Sequence, residues 1–405
     1  MGEVKNKKIV VAMSGGVDSS VSAALLKKQG CNVIGVFMKF WAPAGAAQIN
    51  TDTKTDSHRY NRCCTPESEK RARLVAKKLG IPFYVYNFER EFKKRVVDYF
   101  LKETKAGRTP NPCVVCNKEI KFGLLIEKAL KLGADSIATG HYATIREVKN
   151  RKGDIIYKLL KGQDKQKDQS YFLWKLNQKQ LKHILFPVGD YTKPQVRALA
   201  RKFKLPVAKT PESMEICFIQ TAINDFLRKY LKTKSGDIVD TKGKILGKHQ
   251  GLWFYTIGQR KGIGVASGKP YYVLAKDIKK NELIITQNEK DLLQKELIAE
   301  DVNWTRAPST QRVECSVLDR AQNFCALVSG KEPKMPIKIT AKIRYRSPSV
   351  SAIMRQLIPK TYNLKFSQPQ RAITPGQSVV FYAPVRSSQA KEGKGEELLG
   401  GGIIM

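Results

Sequence analysis

The sequence predicts an α/β protein: a doubly wound parallel sheet over the N-terminal half, followed by a small central domain and a C-terminal all-β barrel. Three observations carry that prediction. Short apolar strands alternate with helical patterns as far as Thr139, the signature of strand–helix–strand crossovers. A Gly-rich turn joins the first strand to the first helix. From about Lys295 the apolar period changes to two, as expected for short strands closing into a barrel.

The elements follow in order. Lys8 to Met13 is a buried strand, Ser14 to Ser20 the turn, and Val21 to Gln29 a helix stopped by Gly30. Asn32 to Met38 reads as the next strand. Glu67 to Leu79 follows as a helix ended by Gly80-Ile81-Pro82, and Phe83 to Asn87 as a strand. Phe88, Phe92, Val96 and Tyr99 recur at helical spacing; a further helix over Gly123 to Leu132 leads through Gly133 into a strand over Ser136 to Thr139. Beyond Cys217 the texture changes to a short helix around Asn224 to Leu231 and Gly-punctuated strands through Gln287. Lys338 to Tyr345 and Ser378 to Tyr382 read as strands flanking the turn Thr374-Pro375-Gly376, Ser387 to Glu397 as a polar loop, and Leu398 to Met405 as a last strand.

At 405 residues the chain exceeds what one hydrophobic core supports, so two or three domains are expected. Its 42% apolar and 27% charged residues are those of a folded protein. A formal charge of +37 points to a polyanionic partner. The plain alternative is a lysine-rich composition, with Lys27, Lys28, Lys77 and Lys78 on solvated helix faces. No apolar run reaches the roughly 20 residues of a membrane span, and the stretch Ile9 to Met13 after Lys5, Lys7 and Lys8 is too short for a signal sequence. The expectation is a cytoplasmic protein with no membrane partner. Eight cysteines in such a chain are expected to be reduced, catalytic or metal-binding. The four histidines, His58, His141, His183 and His249, form no zinc-ligand pattern.

The segment Ser14-Gly15-Gly16-Val17-Asp18-Ser19-Ser20 lies where backbone amides and a helix dipole hold phosphate oxygens. Gly15 and Gly16 permit close approach and positive φ, the serines add hydroxyl donors, and Asp18 is a candidate magnesium ligand. There is no Walker lysine, so a kinase-like γ-phosphate cradle is excluded. A helix-capping Gly-Asp-Ser turn is the structural alternative. The wording resembles the PP-loop ATP pyrophosphatases, whose members activate a carbonyl oxygen as an adenylate and release pyrophosphate.

Thr109-Pro110-Asn111-Pro112-Cys113-Val114-Val115-Cys116-Asn117-Lys118 is a Pro-ordered loop carrying C-x-x-C ahead of a helix start, and Cys217 follows in Glu215-Ile216-Cys217-Phe218-Ile219. Taken alone, the C-x-x-C is open among zinc, redox and iron–sulfur roles.

From end to end the chain resembles the bacterial tRNA-specific 2-thiouridylases. Besides the SGGVDSS loop, the resemblance rests on Phe37-Met38-Lys39-Phe40-Trp41, the NPCVVCNKEIKF stretch, Thr139-Gly140-His141-Tyr142-Ala143 and Lys167-Asp168-Gln169-Ser170-Tyr171-Phe172-Leu173. It continues through Tyr255-Thr256-Ile257-Gly258-Gln259-Arg260, Ile343-Arg344-Tyr345-Arg346 and Thr374-Pro375-Gly376-Gln377. It implies a PP-loop catalytic domain over residues 1–218, a central domain over 219–290 and a tRNA-binding barrel over 291–405. By the same resemblance Cys116 is the nucleophile and Cys217 carries a persulfide. ATP adenylates the 2-carbonyl oxygen of a wobble uridine, the persulfide sulfur displaces AMP, and a Cys116–Cys217 disulfide remains.

The resemblance further implies that Ala12, Met13, Ser14, Gly15, Gly16, Val17, Asp18, Ser19, Met38 and Gly140 line the ATP site, with magnesium beside the phosphates. Asn111, Pro112 and Cys113 are expected at the flipped base. His141, Lys167, Asp168, Gln169, Arg344, Tyr345 and Gln377 are expected at tRNA. Met38 and His141, judged singly, read as core residues. The implied partners are tRNAs for Lys, Glu and Gln and a cysteine desulfurase or sulfur-relay carrier.

Two positions depart from the family pattern: Cys113 and Glu212 stand where members often have Asp. With Cys116 and Cys217, Cys113 makes a three-thiol set resembling that of iron–sulfur-dependent tRNA thiolases, so a [4Fe-4S] cluster is an alternative expectation. Cys63-Cys64 reads as local structure, and Cys31, Cys315 and Cys325 as core or strand positions. The rivals are another PP-loop ligase, which needs neither the charge nor the cysteine pair, and a nonenzymatic RNA-binding protein, which an intact SGGVDSS loop disfavours.

Overall fold

The computed structural model describes residues 5–43, 65–150, 153–211, 216–219, 222–305, 336–384 and 396–405. His58, Cys63, Cys64, Glu212, Cys315, Cys325 and most of the expected polar loop Ser387 to Glu397 lie outside the described residues.

The strands of the N-terminal half are β1 (Lys8–Ala12), β2 (Asn32–Lys39), β3 (Phe83–Asn87), β4 (Ser136–Ala138), a hairpin of β5 (Ala143–Lys149) and β6 (Ile155–Lys161), and β7 (Ile184–Leu185). Five of them form one sheet in the order β3-β2-β1-β4-β7, with every neighbouring pair parallel. The strand order reverses direction around β1, which opens a crevice at the carboxyl ends of β1 and β4, where ligands bind in such sheets.

Helix α1 (Val17–Lys28) starts four residues ahead of the expected Val21, so Asp18, Ser19 and Ser20 belong to its first turn. The Ser20 amide and hydroxyl both donate to the Gly16 carbonyl, at 3.3 and 2.8 Å, which begins the helix immediately after the glycines. Helix α2 (Pro66–Leu79) begins where Thr65 Oγ1 accepts from the Ser68 amide at 3.2 Å and ends at Gly80, whose φ of 60° only glycine adopts cheaply.

The next two helices correct the sequence reading. In α3 (89–105) a π-type turn over Lys93–Val97 widens the spiral, so Phe100 rather than Tyr99 continues the buried stripe. Helix α4 runs unbroken over 112–131, so the expected start at Gly123 falls mid-helix, inside a second π-type turn at Asn117–Leu124. Pro112, with its fixed φ and missing N–H, suits the first helical position, and C-x-x-C is therefore helical rather than a loop.

A single turn α5 (Gln178–Leu181) and helix α6 (Lys193–Lys202) complete this half. One face of the sheet packs α1, α2 and α6 over Val11, Val33 and Ala138. The other packs Phe122, Leu125 and Ile126 of α4 with Tyr171 and Trp174, and the same core takes in Val380, Tyr382 and Leu398 from the C-terminal part.

The central part holds α7 (Ile223–Tyr230) and strands β8 (Gly236–Val239), β9 (Ile245–His249), β10 (Tyr272–Asp277) and β11 (Glu282–Thr286), in the order β10-β11-β8-β9. Phe218 stacks edge-on against Phe92, Phe100 and Phe226, which joins this part to α3. Strands β12 (Leu293–Trp304), β13 (Ile337–Lys342), β14 (Val350–Ile358), β15 (Thr361–Arg371), β16 (Ser378–Tyr382) and β17 (Leu398–Ile404) close into an antiparallel barrel, the predicted ending. Closure leaves no sheet edge unpaired.

Candidate functional site: a phosphate loop, two cysteines and a shared cavity

The loop Ser14–Gly16 leaves the carboxyl end of β1 and turns at Gly15, whose φ is +74°. A Cβ there would collide with the Ser68 backbone carbonyl at the head of α2. Gly140, just past β4, presses against the opposite side: a Cβ would lie 2.6 Å from the Ser19 nitrogen. The two glycines thus let α1, α2 and the end of β4 converge on one cradle.

The hydroxyls inside the cradle are partly committed. The Ser14 amide donates to Ser19 Oγ at 3.2 Å, and Ser20 is fully buried with its hydroxyl on Gly16, so Ser20 is not a donor to a ligand in this arrangement. Asp18 receives both the Lys193 ammonium, at 2.7 and 2.8 Å from its two oxygens, and the Tyr142 hydroxyl at 2.7 Å. Arg71 donates to the Gly15 carbonyl at 3.2 Å and to Ser68 Oγ at 2.8 Å.

The cradle opens into a cavity of about 760 Å³. Of the expected nucleotide residues, Ala12, Met13, Ser14, Gly16, Val17, Asp18, Ser19, Met38 and Gly140 line it; Gly15 acts through its conformation instead. Asn111, Pro112, Cys113, His141, Lys167, Gln169, Tyr345 and Gln377 line it as well. Cys116 and Cys217, from distant stretches of chain, both face this one space and pack in one apolar cluster. Cys116, expected in a Pro-ordered loop, is buried at 6% exposure because it lies on a helix that turns it into the apolar cluster with Ile120 and Phe92; Cys113 and Cys217 are half-buried.

Two expected contact residues, Asp168 and Arg344, are not among the residues that line the cavity. Asp168 is buried, and its carboxylate accepts from the Gly162 and Ser170 amides, both at 3.1 Å, and from Ser170 Oγ at 3.0 Å. Desolvation raises its pKa above the usual carboxylate range despite those donors. Arg344 donates to the Ala372 carbonyl at 2.7 Å, Thr374 Oγ1 at 2.8 Å and the Ile257 carbonyl at 3.3 Å, tying the barrel to the central part; its neighbour Arg346 lines the cavity. The His141 ring lies between Phe122 and Phe186, and Thr139 Oγ1 is 2.7 Å from its Nδ1. Burial, aided by the Lys121 charge, holds its pKa well below the ordinary value, so the imidazole is neutral at pH 7.

Lys193 and Arg71 line the cavity from outside every quoted motif, and Tyr142, Phe172 and Lys121 line it from within quoted motifs in which they were assigned no role. One signal existed for Lys193: a lysine in the first turn of a helix opposes the helix dipole and asks for a reason. Asp18 is the one carboxylate among the described lining residues, which fits a magnesium ion that takes most of its ligands from phosphates and water. Among the described residues no three His, Cys, Asp or Glu side chains stand close enough to share a metal, so the cluster on Cys113, Cys116 and Cys217 finds no support.

A doubly wound sheet with a glycine cradle at its switch point defines an α/β phosphate-binding protein, here with cysteines facing the same cavity. Family models match along the chain: the tRNA methyl transferase HUP domain over residues 7–221, the tRNA methyl transferase PRC-barrel domain over 224–287 and the aminomethyltransferase beta-barrel domain over 294–404. The tRNA-specific 2-thiouridylase MnmA of Geobacter metallireducens is 42% identical over 410 residues, spanning 100% of this chain and 98% of its own. Its counterpart from Carboxydothermus hydrogenoformans is 43% identical, spanning 100% and 99%, and that from Clostridioides difficile 42% identical, spanning 98% of each. The chain belongs to the tRNA-specific 2-thiouridylase family.

Proposed function

We propose that the protein is an ATP-dependent sulfurtransferase that converts the wobble uridine of tRNA to 2-thiouridine. The observation that carries this reading is the common cavity of the phosphate loop, Cys116 and Cys217. The glycine cradle holds the pyrophosphate part of ATP, Asp18 would hold a magnesium ion whose charge would neutralise the phosphates, and Met38 packs on the adenine. Adenylation of the uridine 2-oxygen, with loss of pyrophosphate, turns a poor leaving group into AMP. The terminal sulfur of a persulfide on Cys217 forms a bond to C2 as the C2–oxygen bond to AMP breaks. The Cys116 thiolate then attacks the Cys217 sulfur, and the sulfur–sulfur electron pair leaves with the base as its thiocarbonyl. A Cys116–Cys217 disulfide remains, to be reduced by an external dithiol.

Asn111, Pro112 and Cys113 flank the flipped base, and His141, Lys167, Gln169, Tyr345 and Gln377 extend the contact. The positive lining, Arg71, Lys121, Lys167 and Arg346, suits a nucleic acid backbone. Sulfur comes from a cysteine desulfurase or a relay carrier, the acceptors are tRNAs for Lys, Glu and Gln, and the reaction is cytoplasmic. No helix among the described residues is long and apolar enough to cross a membrane.

The test is reconstitution with unmodified tRNA, ATP and a persulfide donor, reading thiouridine by mass spectrometry and AMP by chromatography. Wild type yields both. Cys217→Ser and Cys116→Ser yield no thiouridine while still binding ATP. A wild-type preparation that consumes ATP without thiolating tRNA, or a Cys217→Ser protein that thiolates normally, overturns the reading.

A further inference from the structure

The phosphate loop carries no lysine of its own, yet an ammonium stands over it. Lys193 comes from the first turn of α6, a region remote in sequence, and its side chain is only 9% exposed. Its Nζ lies 2.7 and 2.8 Å from the two oxygens of Asp18, and its backbone amide is fixed by Asp164 Oδ2 at 2.9 Å. Both members of the pair line the cavity beside Gly16 and Ser19.

An ion pair with one buried and one half-buried member is weak evidence of stabilisation, and a cation at a helix N-terminus opposes the dipole. The placement therefore asks for a role other than holding the fold. A polyphosphate entering the cradle brings several negative charges to a spot where Asp18 already carries one, and only a cation makes that approach favourable. We infer that Lys193 holds the pyrophosphate portion of ATP, its Nζ passing from the Asp18 carboxylate to phosphate oxygens when the nucleotide arrives. Lys193 thus supplies in space the charge that a Walker loop supplies in sequence. The inference rests on the ATP-binding reading above.

Calorimetric titration of the full chain with magnesium-ATP, inorganic pyrophosphate and AMP tests it. Lys193→Met weakens ATP and pyrophosphate binding about 10- to 100-fold, the scale of one charged hydrogen bond, and leaves AMP within about twofold. Lys193→Arg recovers most of the loss. Because Lys193→Met also leaves the Asp18 charge unneutralised, and Asp18 itself belongs to the cradle, the single variant Asp18→Asn is the reference for the double variant Asp18→Asn/Lys193→Met. The double variant binds pyrophosphate about 10-fold or more weaker than Asp18→Asn if the lysine touches phosphate. A double variant that binds pyrophosphate as tightly as Asp18→Asn overturns the inference, and so does a Lys193→Met protein with unchanged pyrophosphate affinity. If Lys193→Met loses AMP as well, the same pair of variants carries the comparison without the extra carboxylate charge. A wild-type chain that binds pyrophosphate through Lys193 but no ATP refutes the nucleotide reading and leaves the lysine's role standing; one that binds neither overturns both.

Discussion

Replacing Gly140 by alanine tests how tightly the cradle is built. The glycine does not require a positive φ, so the perturbation is purely steric: the new methyl would sit 2.6 Å from the Ser19 nitrogen and 2.7 Å from the Asp18 carbonyl carbon. Relief to an ordinary contact of 3.4 Å requires the first turn of α1 and the end of β4 to separate by about 0.8 Å. Overpacking of that kind costs about 1–3 kcal/mol of stability. Because the displaced atoms belong to the phosphate loop, a shift near 1 Å also costs about 100-fold in turnover. Urea unfolding reads the first quantity, and AMP release at saturating tRNA reads the second. Gly268, where an added methyl would meet nothing within 4 Å, is the control, and Gly268→Ala stays within about 0.5 kcal/mol of wild type. A Gly140→Ala protein with unaltered ATP affinity and turnover would show that the cradle is soft and that the contact between Gly140 and the first turn of α1 does not set its geometry.

Three further outcomes follow from the packing. Trp174→Ala removes a fully buried indole that donates from Nε1 to Ser378 Oγ at 3.0 Å, and urea unfolding should register a loss of about 3–5 kcal/mol; a loss below 1 kcal/mol contradicts a shared core between sheet and barrel. Tyr171→Phe leaves the buried Ser378 carbonyl without the hydroxyl that donates to it at 2.7 Å, at a cost of about 1–3 kcal/mol in the same assay. Burial lowers the Lys276 ammonium from 10.5 to about 8, so the unfolded chain holds more protons between those values and stability rises with pH across that window. Below pH 8 the whole penalty, about 3 kcal/mol, is present; Lys276→Met should therefore stabilise the protein at pH 7, less the hydrogen bond lost at the Gly107 carbonyl, and flatten the slope from pH 8 to 10.5. An unchanged slope in that variant assigns the titration elsewhere.

The parts legible in the sequence were those with a local cause. The β1–loop–α1 unit, the Gly80 stop and the turn before β16 declare themselves through glycine, proline and apolar period. The start of α4 did not, because Pro110-Asn111-Pro112 reads as a loop whereas Pro112 is the first helical residue, and the π-type turns blur the helical period around Gly123. The hairpin β5–β6 escaped notice because its strands mix charged residues with apolar ones and one face is half-exposed. At the site, Cys116 and Cys217 could be matched by wording, but Lys193 and Arg71 stand in no quoted motif and reach the cradle only through tertiary packing. Asp168 and Arg344 show the converse: both stand in recognisable wording, and each spends its hydrogen bonds on neighbouring chain.

The Thr374-Pro375-Gly376 turn grips the approach to the cysteine helix. The Thr109 amide donates to the Pro375 carbonyl and the Gln377 side chain donates to the Thr109 carbonyl, each at 2.8 Å, while a methyl at Gly376 would strike the Thr109 backbone. The stretch leading into Asn111, Pro112 and Cys113 is therefore held at both backbone polar groups of Thr109 by the C-terminal barrel. Cutting the barrel away would strip more than a surface from the protein: it would untether the stretch of chain that sets where Cys113 and Cys116 sit, so a truncated enzyme should lose its thiol geometry along with whatever the barrel itself holds.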